Sequence, residues 1–175
     1  MRAHRADSPA PLAARYPAIR QTLIGGGNFL LIVTGGSMEP FLRHLRDRAA
    51  LELPEARALR RGDIVLFERD CGQFVLHRVL RVRADGRFDA IGDAQWQRET
   101  GIPRDALRAR VKCVIRDGRP INCDHGAWRA LMTFYMLARV TLPRLTRLAL
   151  RIRRVIFQPT LLGIRSLPFP NRHAR

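Results

Sequence analysis

The sequence predicts a mostly β domain carrying a basic helical tail, on three observations. Short apolar runs of five to nine residues, rich in valine, isoleucine, leucine and phenylalanine, recur between residues 29 and 116. Stretches of turn chemistry separate them: RRGD at 60–63, RDCG at 69–72, ADG at 84–86 and RDGRP at 116–120. Past His125 the pattern changes to helical spacing with arginine as the dominant charge. A succession of short strands with few helices is the signature of an all-β core.

Residues 1–14 are polar with alanine and proline and read as a loose N-terminus. Residues 16–23 suit a short helix that stops at Gly25-Gly26-Gly27. Residues 29–33 form a short apolar run, best read as a buried strand. Strands are then expected at 49–53, Ile64–Glu68, Phe74–Val82, 87–91 and 109–116. The segment GIPRDAL at 101–107 reads as a short helix or turn entered through Pro103. Residues 127–142 are strongly apolar and end at Pro143. In 144–156, Arg144, Arg147, Arg151 and Arg154 make a basic stripe, while Leu145, Leu148, Ile152 and Val155 fall on another side of the same helix. The end, SLPFPNRHAR, reads as irregular. The expected organisation is a segment 1–28, a domain 29–124 and a tail 125–175.

The chain carries 32 Lys+Arg against 15 Asp+Glu, a formal charge of +17, and Lys112 is its one lysine. Between residues 34 and 124 the surface is nearly balanced, with 18 basic and 14 acidic residues. After Asp124 come ten arginines and no acidic residue, so the positive charge belongs mainly to the tail. Cys71, Cys113 and Cys123 leave one over in any disulfide scheme and lack metal-ligand spacing, so reduced thiols are expected. No apolar stretch approaches the ~20 residues that span a bilayer as a helix, and no secretory leader is evident. A cytoplasmic protein, peripheral at the inner face of the membrane, is the expectation.

The segment IVTGGSMEPF at 32–41 is, by itself, a turn. A serine hydroxyl becomes a nucleophile only with a base in reach and donors for the developing oxyanion. Residues further along the chain supply candidates: His77 in FVLHRVL and Asp93 in the Gly-Asp pair of DAIGDAQWQRE, with Glu99 six residues beyond it. Taken together, GGSMEP, RRGDIVLF, LHRVL and GD, in that order, resemble the catalytic domain shared by type I signal peptidases and the self-cleaving domain of SOS-type repressors. The resemblance spans roughly residues 29–119. It implies a signal-peptidase/SOS-repressor-like catalytic β domain and a serine endopeptidase that cleaves a leader peptide, signal peptide or partner protein.

Bacterial signal peptidases and SOS-type repressors use a lysine base, and the endoplasmic-reticulum type a histidine followed by arginine. Here His77 and Arg78 occupy that position, and Lys112 lies far beyond it. The resemblance therefore implies Ser37 as nucleophile and His77 as general base. For the third member Asp93 is put first, with Glu99, where the histidine-type enzymes carry Asp, kept as its competitor. Relatives often place a serine donor two residues before the nucleophile; this chain has Gly35. That departure keeps a second reading open, a weak or inactive member of the fold that binds peptides or docks on a membrane. Met38 is assigned to the substrate groove or core, His44 to an exposed turn or helix, and His125 to the join with the tail. No metal or cofactor is implied. The partners implied are a peptide or protein substrate and, through the tail, an anionic membrane surface. Nucleic acid is not expected, because no helix-turn-helix pattern precedes the β domain.

Overall fold

A computed structural model of the chain describes residues 11–141, with side chains placed through Ala138. The chain to Leu137 makes one compact unit and the chain from Ala138 a second, of which only the last turn of a helix is described. The arginine-striped stretch 144–156 and the irregular end lie outside the described residues.

Helix α1 spans Leu12–Ile24 and buries Ile19 and Leu23. The last three residues of the stretch expected to be loose, 12–14, are thus its first turn. Among the described residues eight strands come after it: β1 Phe29–Ile32, β2 Arg48–Glu52, β3 Ile64–Glu68, β4 Phe74–Val82, β5 Phe88–Ile91, β6 Arg98–Ile102, β7 Leu107–Arg116 and β8 Arg119–Asn122. All pairings are antiparallel, in the order β1-β2-β7-β3-β4-β5-β6, with β8 also paired to β7. The mostly β class is therefore observed. Strands β6 and β8 were not among those expected: Arg98–Ile102 has little apolar alternation, and RDGRP turns only at Asp117-Gly118 before pairing resumes at Arg119.

Successive side chains of a strand point to opposite faces. In β3 this sends Ile64 and Leu66 into one core cluster, with Met38, Leu42, Ala49 and Val111. It sends Val65 and Phe67 into a second, with Val75, Val79, Phe88 and Ala90. The run IVLF is fully buried for this reason, because a strand covered on both faces needs no polar alternation. The same rule divides β4. His77 shares its face with Val75 and Val79, its ring 6.0 Å from that of Phe67. Arg78 turns the other way, its guanidinium 5.7 Å from the Phe41 ring.

Helix α2, Gly126–Thr141, covers that second side. Trp128 and Tyr135 meet Phe41 edge-on, with ring centroids 6.1 and 4.7 Å away, and Met132 and Met136 are buried. Its outer side exposes Leu131 and Phe134. Among the described residues no helix is long and apolar enough to cross a membrane. The three cysteines are free thiols; burial pushes that of Cys123 up to about 12.

Candidate active site

Ser37 sits in the loop between β1 and β2, and four anchors fix that loop. Met38 and Leu42 plug into the first core cluster. Asp47, buried at the far end, accepts the Arg43 amide at 2.9 Å and both prongs of Arg116 at 3.1 and 2.8 Å. Burial alone would raise the Asp47 carboxyl, but these bonds outweigh it and hold it below the usual range. The ring of His44 accepts the Gly35 N–H on Nδ1 at 2.9 Å. Finally, the Ala94 N–H donates to the Ser37 carbonyl at 2.8 Å. That last contact explains the Gly-Asp pair from its glycine: an ideal Cβ on residue 92 would lie 2.7 Å from the Ser37 carbonyl oxygen.

Gly35 has φ +80°, a region that glycine enters without the Cβ clash other residues suffer. Beyond it, the amides of Gly36, Ser37 and Met38 donate no hydrogen bond among the described residues. Such amides, that of Ser37 among them, are of the kind that can donate to a developing negative charge.

His77 is 1% exposed. Its Nδ1 lies 2.9 Å from Oε1 of Glu99, with the oxygen off the axis of the ring N–H. Glu99 reaches it from β6, across β5, where Glu99 pairs with Ala90. Glu99 is also held by Arg69, whose Nε and Nη2 contact Oε2 and Oε1 at 2.9 and 2.7 Å. Burial lowers the affinity of His77 for a proton, and the Arg69 charge adds to this; together they outweigh the opposing pull of Glu99 and Asp93. The ring is therefore biased to the neutral form. Burial would raise the Glu99 carboxyl, but the Arg69 hydrogen bonds and the Arg69 charge hold it below the ordinary value.

Asp93 lies elsewhere. Both its oxygens are taken by Arg78, at 2.8 and 2.6 Å, and both side chains are completely buried. Arg78 also donates to the Gly62 carbonyl at 2.9 Å, and Tyr135 Oη to the Asp93 carbonyl at 2.6 Å. Since residues 77 and 78 face opposite sides of β4, the carboxylate paired to Arg78 is not the one against the His77 ring. Of the two acids expected to compete for that place, Glu99 is the one in contact with His77.

Ser37 and His77 line one pocket of about 380 Å3, shared with Thr34, Gly35, Met38, Arg69, Gln73 and Gln95. Its remaining wall is apolar and includes Leu12 of α1, Leu31 of β1 and Phe74 and Leu76 of β4. Among the described residues no hydrogen bond joins the Ser37 hydroxyl to His77, and no cluster of three or more potential metal ligands occurs. Met38 is in the core and at the pocket floor. Sequence reasoning passed over the part of His44, which braces the loop, and of Arg69, which it placed in a turn. Neither has a local signature, since each acts on a residue brought near by the fold. No protein-family model matches the chain, and no curated protein matches it.

Proposed function

We propose that this chain is a serine endopeptidase, hydrolysing a peptide bond in a leader peptide, signal peptide or partner protein through an acyl-enzyme, on the fold of the signal peptidases and SOS-type repressors. The observation that carries the reading is Glu99 Oε1 at 2.9 Å from Nδ1 of His77, a residue that lines the same pocket as Ser37. A carboxylate on Nδ1 keeps that nitrogen protonated and leaves Nε2 to accept a proton.

The chemistry then runs through this chain's own groups. Ser37 Oγ attacks the scissile carbonyl carbon as Nε2 of His77 takes the hydroxyl proton, and Glu99 stabilises the imidazolium. The amides of residues 36–38 receive the charge on the carbonyl oxygen. The imidazolium returns its proton to the departing amine, leaving an ester on Ser37, and water activated by the same ring releases the acid. In the free enzyme the hydroxyl is not yet bonded to the ring; catalytic hydrogen bonds commonly tighten on substrate binding.

The Ser37 hydroxyl, not bonded to His77 among the described residues, and Gly35 at the donor position of the resembled family favour a second reading, a module of the same fold that binds peptides without cleaving them. Labelling of the purified protein with a fluorophosphonate separates the two. Labelling that disappears in Ser37→Ala and His77→Ala supports the peptidase. A wild-type protein left unlabelled, but binding peptides, supports the module. Membrane association through residues 144–156 forms part of the proposal and is tested by co-sedimentation with anionic vesicles.

A further inference from the structure

Glu99 is one methylene longer than the aspartate of the histidine-type enzymes, and so has one more torsion to fix before its carboxylate can serve a histidine. On an exposed strand that extra freedom would blur the position of Oε1. Arg69 removes it. The residue stands at the base of the β3–β4 turn, where its N–H donates to the Gln73 carbonyl at 2.9 Å and its carbonyl accepts the Gly72 N–H at 2.8 Å. Its side chain is fixed at three points: two on Glu99 and a third, Nη1, at 2.5 Å from Gln73 Oε1. A planar guanidinium bound through two parallel bonds sets the plane of the carboxylate as well as its distance. The Oε1 so placed is shared, 2.7 Å from Arg69 Nη2 and 2.9 Å from His77 Nδ1.

We propose that Arg69 is a positioning residue of the site: its fork on Glu99 presents Oε1 to Nδ1 of His77, keeps the ring in the tautomer protonated there, and leaves Nε2 for Ser37. The role in catalysis rests on the peptidase reading; the effect on the ring does not. The charges that His77 feels are those of Glu99 from β6, Arg69 from the β3–β4 turn and, from the other side of β4, Asp93 in the segment after β5. Asp93 is neutralised by Arg78, so Arg69 and Glu99 set the balance between them.

The test is a histidine-selective 15N NMR titration of the full chain, with the His77 signals assigned by their loss in His77→Gln. In Arg69→Gln the His77 midpoint is expected to rise by about one pH unit, since a like charge is removed and Glu99 is released to the imidazolium. The Nδ1-protonated tautomer should lose its dominance. Arg69→Lys, which keeps charge without the fork, should hold the midpoint near wild type yet still lose the tautomer preference. Fluorophosphonate labelling of Ser37 should fall ~10- to 100-fold in Arg69→Gln. Arg87→Gln, an exposed arginine beside Asp85, is the control and should change none of these. If Arg69→Gln lowers the melting temperature but leaves the His77 midpoint and tautomer as in wild type, Arg69 only ties the hairpin to β6 and the proposal is overturned. If the ring responds as expected while wild-type Ser37 takes no label, the ring effect stands and the peptidase reading fails.

Discussion

The Ser37 carbonyl oxygen occupies the space that a side chain at Gly92 would need: a β-carbon there would sit 2.7 Å away, and 2.9 Å from Gln95 Oε1. The Ala94 amide closes the contact from the same segment. The two loops are thus a single unit, and the position of the serine is set partly from residue 92.

Gly92→Ala should therefore displace Ser37. We expect labelling to fall at least ~10-fold, with a stability loss of about 1–3 kcal/mol from overpacking. Gly126→Ala, where a β-carbon meets nothing, is the comparison and should leave labelling intact.

The two acids should separate under mutation. Asp93→Asn leaves Arg78 buried without its counter-charge and should cost about 3–5 kcal/mol, read by urea unfolding. Glu99→Gln should lower labelling by ~10²-fold or more with little change in the urea midpoint, because Glu99 is partly exposed and its ion pairs are near solvent. Equal stability losses in both variants would contradict the assignment.

A second expectation concerns pH. In the proposed mechanism His77 would act only when neutral, and the folded site depresses its proton affinity. The rate of labelling should rise along an acidic limb whose midpoint lies below the ordinary histidine value of ~6.5. Stability carries the same sign. Between the ordinary histidine value and the lower folded one, the unfolded chain binds a proton that the folded chain refuses, so stability falls as pH falls. Glu99, held down in the fold, adds stability above the ordinary glutamate value that is lost as pH drops through its folded value. An acidic limb above the ordinary histidine value would count against a buried His77 base.

The loop ahead of the serine gives a third test. His44→Ala removes the acceptor of the Gly35 amide and should slow labelling roughly twofold to tenfold, with the melting temperature nearly unchanged because the bond is exposed. Gly35→Ser, which puts a hydroxyl two residues ahead of Ser37, should not speed labelling. Its φ of +80° makes any side chain there cost about 1–2 kcal/mol.

Strands β3 and β4 were legible to the residue, since long runs of β-branched and aromatic side chains bounded by turns carry their own signal. Strand β6 was not. Its sequence, RETGI, holds one strongly apolar residue, and the strand exists because β5 pairs with it and Asp89 accepts the Gly101 amide at 2.8 Å. The site shows the same division. Ser37 and His77 stand in short patterns that hold locally. The choice between Asp93 and Glu99 depended on which face of β4 each acid reaches, and that is decided by the register of three strands.

The terminal place of β6 in the sheet order has an evolutionary consequence. Arg78 and Asp93 are locked together at the centre, where a change in either must be answered by the other. Glu99 stands on the last strand, partly open to solvent and with its partner, Arg69, on a turn. Selection can lengthen or shorten that acid, and adjust the arginine that steadies it, without disturbing the core. On the peptidase reading, the acid that would serve His77 is in this way the one least tied to the core, and a side chain of glutamate length fits such a layout.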